Sequence, residues 1–319
     1  MIVNPLTPFL ERQGMLILDG GLATLLEQRG HDLGDHLWSA RLLRDDPQAI
    51  RAAHLDYLEA GADCIITASY QGTIAGFERL GMLRERAREL LQLAVRLAQE
   101  ARDTFWRQVE AETARLRPLV AASVGPYGAY LADGSEYSGA YGLDEDALVA
   151  FHRERWHLLA GAGPDLMACE TIPSGMEAKA LAVLIPETPA MPAWVSFSCR
   201  DEADLNDGTP LVEATARVAA LPQVVAIGIN CTAPRFIPSL IRAARSVTDK
   251  PILVYPNSGE TYDANRRIWV GESEPERFGA LSESWRAAGA RLIGGCCRTG
   301  PEHVRAIRTH LLATEGGAG

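Results

Sequence analysis

Six cysteines are spread over 319 residues, and three of them stand where short apolar runs end. Cys296 and Cys297 are adjacent behind the apolar run 291–293 and the pair Gly294-Gly295. Upstream, Cys231 closes the run Ala226-Ile-Gly-Ile-Asn. Thiolates are soft ligands, and an open zinc site uses three protein ligands while leaving a fourth position for a reacting group. The chain has no Cys-x-x-Cys and no His-Glu-x-x-His, so neither a zinc knuckle nor a metalloprotease helix is expected. The same residues also admit blander readings: two buried thiols or a vicinal disulfide at Cys296–Cys297, and a small core residue at Cys231. Neighbours on a regular strand point to opposite faces, so a shared ion requires the chain to leave strand geometry at Gly294-Gly295.

Positioning such residues takes a particular set of elements. Apolar runs with few charges predict strands at 15–19, 63–68, 119–124, 165–169, 193–198, 224–229, 252–255 and 290–294. Helical patterns fill 47–61, 84–115, 144–162, 174–184, 209–220, 235–247, 274–288 and 301–312. Asp46-Pro47 and Thr299-Gly-Pro-Glu carry N-terminal capping signals, and Gly61 and Gly289 are placed as helix stops. Eight strands in βα order predict an α/β protein made of a single (β/α)8 TIM barrel. An open doubly wound sheet would gather chemistry at one switch point, whereas here it falls at nearly every strand end. Those ends bring Asp19, Gly20, Tyr70, Glu170, Asn230 and the cysteines toward one pocket. The loop 125–141, rich in Gly and Tyr, should lie over it. No linker divides residues 1–319, so one domain is expected, with 313–319 as a flexible Gly-rich tail.

Composition sets limits. With 47% hydrophobic and 23% charged residues the chain is an ordinary globular protein. A net charge of −10 argues against nucleic-acid binding. The start lacks a secretion signal and no run reaches the ~20 apolar residues of a membrane span. Sparse, unpaired-looking cysteines favour a cytoplasmic location. Oligomeric state is not encoded in any motif.

Asp19-Gly-Gly, Cys169-Glu-Thr-Ile-Pro, Gly228-Ile-Asn-Cys and Gly294-Gly-Cys-Cys, in that order, resemble the homocysteine S-methyltransferase family. The resemblance runs from about Leu16 to Ile307. It implies a (β/α)8 barrel with catalytic Zn2+ on Cys231, Cys296 and Cys297, and methyl transfer from a sulfonium or ammonium donor to homocysteine sulfur, giving methionine. It further implies that Glu170 holds the homocysteine ammonium, with Asp19 either sharing that role or capping the next helix. Gly20 would bring backbone amides to the substrate carboxylate, and Asn230 would orient the site. A cationic donor should meet aromatic faces, for which Trp38 and Tyr70 are candidates. The segment 170–178 is closer to the branch using S-methylmethionine or S-adenosylmethionine than to the betaine branch. A betaine- or selenocysteine-directed methyltransferase of the same family and a non-catalytic zinc- or thiol-binding barrel are the alternatives. Cys64, Cys169 and Cys199 are expected to be packing.

Overall fold

The computed structural model describes residues 2–33, 38–259, 261–263, 268–270 and 273–312; positions 38–39, 261–263 and 268–270 are described by backbone alone. The eight expected strands form: β1 (Leu16–Ile17), β2 (Cys64–Ile66), β3 (Leu119–Val124), β4 (Leu166–Ile172), β5 (Ala193–Phe197), β6 (Val224–Asn230), β7 (Ile252–Tyr255) and, after a short hairpin, β10 (Ala290–Ile293). All are parallel, in the order β1-β10-β7-β6-β5-β4-β3-β2. The hairpin, β8 (Thr261–Asp263) with antiparallel β9 (Ile268–Val270), is an insertion the sequence pattern did not announce.

A seam between β1 and β2 closes the cylinder. Asp63 N–H donates to the Ile17 carbonyl at 2.7 Å, and Asp19 N–H to the Cys64 carbonyl at 3.1 Å. Each aspartate side chain adds a stitch. Asp63 Oδ2 accepts from Ile17 N at 3.1 Å, and Asp19 Oδ2 accepts from Ile66 N at 2.7 Å.

Alternation along the strands divides the core as strand geometry requires. Leu16, Ala121, Ala168, Trp194 and Leu253 pack with one another and with Leu6 and Phe9 around the helix Thr7–Gln13. Their strand neighbours Ile17, Val120, Met167, Val195 and Val254 pack in a second layer with the surrounding helices. The N-terminal helix thereby joins the inner cluster.

Asp46 caps its helix as expected, accepting from Ala49 N at 3.2 Å, and Gly61 and Gly289 end helices with φ of 115° and 118°. The capping signal at Thr299 is reassigned. Its hydroxyl donates to the Cys296 carbonyl at 2.7 Å, and the helix start is served by Gly300 N–H donating to His303 Nδ1 at 3.1 Å.

Candidate active site

Cys231, Cys296 and Cys297 come together at the ends of β6 and β10, with their Sγ atoms all within 4.8 Å of one another. Cys231 and Cys297 are 3.6 Å apart. Local backbone makes this possible. Cys231 itself is left-handed at φ 50°, so its side chain departs from the strand alternation. β10 ends at Ile293, and the turn past Cys297 is made by Arg298 at φ 65°, whose N–H donates to Thr24 Oγ1 at 3.0 Å. Neither Gly294 nor Gly295 has a positive φ. Their reason is space: a Cβ on Gly294 would lie 2.6 Å from the Asp19 carbonyl, and one on Gly295 would collide with Thr299 Oγ1.

Tetrahedral zinc with Zn–S bonds of about 2.3 Å separates its sulfurs by roughly 3.8 Å, so this donor set fits a metal of that kind. Hydrogen bonds from Cys231 and then Cys296 hold the Cys297 thiol well below its ordinary pKa. One ligand is thus predisposed to ionise. Cys64 and Cys169 are fully buried, as packing residues should be, whereas Cys199, 7% exposed, lines the same cavity as Cys231 and Cys297.

Glu170 is 7% exposed, and its Oε1 accepts from the Ser123 hydroxyl. Burial pushes its carboxyl up to about 7; the Ser123 and Tyr255 hydroxyls oppose this, and the Cys297 charge adds to it. Asp19 is 2% exposed and also pushed well up, chiefly by burial and further by Glu170. Its Oδ1 has no protein partner among the described residues. The capping reading for Asp19 fails: Gly21 is the N-cap of Leu22–Gln28, with no side-chain cap bond. At Gly20 a Cβ would sit 2.8 Å from the Thr299 carbonyl and 2.9 Å from Tyr57 Cε1, so packing accounts for glycine there.

Asn230 is fully buried and committed to the protein. Its Oδ1 accepts from Thr171 N at 2.7 Å and Ser196 Oγ at 2.9 Å, and its Nδ2 donates to Thr171 Oγ1 at 2.7 Å. These bonds fix Thr171, a β-branched residue at φ 60°, beside Glu170. The β4–β5 register shifts at this point. Asn230 therefore positions the strand end and has no free polar group for a ligand.

Loop 125–141 does approach the cysteines. It contains a helix, Tyr127–Leu131, and a 3-10 turn, Ser135–Tyr137, that brings the Tyr137 hydroxyl to 3.9 Å from Cys231 Sγ. Nothing in the spacing of Tyr and Gly singled Tyr137 out. A buried network anchors this loop. Glu177 Oε1 accepts from Tyr127 N at 2.7 Å and pairs with His152 Nε2 at 2.8 Å. Arg155 donates to His152 Nδ1 at 2.7 Å and to the Gly125 carbonyl at 2.6 Å. Tyr70 is half-buried against Gly125, where a Cβ would lie 2.7 Å from its Cδ2. The Trp38 side chain and residues 313–319 lie outside the described residues.

A cavity of 1380 Å³ opens from Cys231 and Cys297 past Tyr137, Glu27 and Arg298 toward Phe236. It has room for two small reactants.

The profile described as Homocysteine S-methyltransferase matches residues 16–311. "Homocysteine S-methyltransferase YbgG" of Bacillus subtilis is 49% identical over 305 residues, covering 96% of this chain and 97% of that one. "Selenocysteine Se-methyltransferase" of Brassica oleracea is 49% identical over 313 residues, covering 95% of this chain and 90% of that one. The crystal structure of the homocysteine methyltransferase MmuM from Escherichia coli in its metallated form superposes with a TM-score of 0.86 at 46% identity, covering 96% of this chain and 99% of that one. With profile and relatives alike matching nearly end to end, the chain belongs to the homocysteine S-methyltransferase family and is a methyltransferase.

Proposed function

We propose that this enzyme transfers a methyl group from S-methylmethionine, or S-adenosylmethionine, to the sulfur of L-homocysteine, with Zn2+ held by Cys231, Cys296 and Cys297. The observation that carries this reading is the convergence of three Sγ atoms within 4.8 Å at two strand ends. Bound zinc would keep the homocysteine sulfur as a thiolate at neutral pH, where a free thiol with a pKa near ~8.5 is mostly protonated. The protein's own part is binding and orientation. Glu170 and the unpartnered Asp19 Oδ1 face the homocysteine ammonium, with Gly20 beside its carboxylate. Asn230 holds Thr171, and with it the backbone that aims Glu170. Tyr70 and Tyr137 supply aromatic faces for the sulfonium. The reaction runs in one barrel domain of the cytoplasm, where thiols stay reduced.

The metallated Escherichia coli relative supports the metal. The Brassica relative favours a second acceptor class, a selenolate, which the same cluster would accommodate. The test is incubation of zinc-loaded enzyme and homocysteine with S-methylmethionine, S-adenosylmethionine and betaine separately. Methionine from the two sulfonium donors, with little from betaine, is expected; none from any donor overturns the reading.

A further inference from the structure

We propose that Glu136 is the counter-ion for the sulfonium centre of the methyl donor and makes the site prefer a cationic donor over a neutral one of the same shape. This rests on the sulfonium-donor reading above.

Glu136 lies in the turn Ser135–Tyr137, is 6% exposed, and its Oε2 has no hydrogen-bond partner among the described residues. No Lys, Arg or His among them forms an ion pair with it either. A buried carboxylate without a counter-ion is costly, and the cost is relieved when a ligand brings a cation. Burial above all, then the Asp133 and Cys297 charges, oppose its ionisation, while hydrogen bonds from the Glu136 and Gly134 backbone favour it.

The position is fixed by the fold. Gly128 packs so closely beneath the turn that a Cβ there would lie 2.6 Å from the Ser135 carbonyl carbon. The next residue, Tyr137, reaches 3.9 Å from Cys231 Sγ, and Tyr137 and Cys231 line the same cavity. Glu136 precedes Tyr137 in this turn and is near enough to Cys297 for the two charges to oppose each other, which places it beside the region where the reacting sulfur of the donor must come. The donor's ammonium is separated from that sulfur by several bonds. Asp19, whose ionisation Glu170 opposes, forms with it a different carboxylate pair, just past β1 and on β4, suited to the acceptor.

In the transfer, the donor's C–S bond breaks with its electron pair staying on the donor sulfur, as a lone pair of homocysteine sulfur forms the new C–S bond. The donor's positive charge disappears. A carboxylate beside the sulfonium thus stabilises bound donor more than the transition state, so its removal should raise KM without lowering kcat. A structural role would lower kcat and metal content together.

The experiment compares zinc-loaded wild type and Glu136→Gln at saturating homocysteine, using S-methylmethionine and its neutral carbon isostere 2-amino-5-methylhexanoate. Expected are a rise of about tenfold in the S-methylmethionine KM with a kcat that is raised or not lowered, an unchanged Ki for the isostere, and unchanged homocysteine KM and zinc content. Calorimetric titration of both ligands without homocysteine asks the same question without turnover, so failure of methyl transfer and failure of the Glu136 assignment are separately visible. Equal weakening of both ligands, a Glu136→Gln enzyme that keeps the preference, or a wild type with no preference would overturn the proposal.

Discussion

A carboxyl group that is to grip an ammonium must be ionised, and Glu170 sits where ionisation is opposed. With its carboxyl near 7, homocysteine binding should strengthen as pH rises through about 7, seen as a falling KM for homocysteine. The same shift bears on stability. Between the ordinary value of 4.5 and about 7 the folded enzyme keeps a proton that the unfolded chain releases, so stability falls as pH rises through that window. The full penalty, roughly 3 kcal/mol, is present above it. Glu170→Gln should therefore raise Tm more at pH 8 than at pH 5 while raising the homocysteine KM at least about tenfold. Cys297→Ser should lose metal and activity together, measured by metal analysis of the purified protein. The three cysteines were legible because each follows an apolar run. Glu136 and Tyr137 were not: they lie in a loop whose composition marks its place over the site but whose lack of periodicity hides which side chains turn inward.

At the scale of elements, all eight barrel strands could be recognised, since strands covered on both faces stay apolar throughout. The β8–β9 hairpin escaped because two three-residue strands carry too little pattern. The short helices Ile74–Arg79 and Tyr127–Leu131 escaped for a similar reason. What no pattern reveals is the left-handed residues Thr171 and Cys231 at two strand ends and Arg298 in the turn past Cys297, because none is glycine. Asn230 is the device that holds the first of these. Asn230→Ala removes three buried hydrogen bonds and should cost about 3 kcal/mol, seen as a shifted denaturation midpoint together with a higher homocysteine KM.

In the whole molecule, the C-terminal ends of the strands carry the chemistry and the opposite ends carry stability. At the latter, Asp63 accepts from Arg308 at 2.9 Å and Gln13 at 2.7 Å and is ion-paired with Arg115 at 3.6 Å. Asp63→Ala takes the carboxylate from two half-buried arginines and the Ile17 amide and should cost about 3 kcal/mol in chemical denaturation with substrate KM values unchanged. The barrel class and the division between these faces followed from strand order. The stitching of the β1–β2 seam by two aspartates did not, because only the closed cylinder brings residues 17 and 63, or 19 and 66, together. That seam gives occupancy of the site a distant reporter. Asp19 clasps the Ile66 amide with one oxygen, while its other oxygen is buried without a partner among the described residues. Filling the site should hold the clasp shut, so homocysteine is expected to slow deuterium uptake at the Ile66 amide more than at the Ile17 amide, where Asp63 does the fastening.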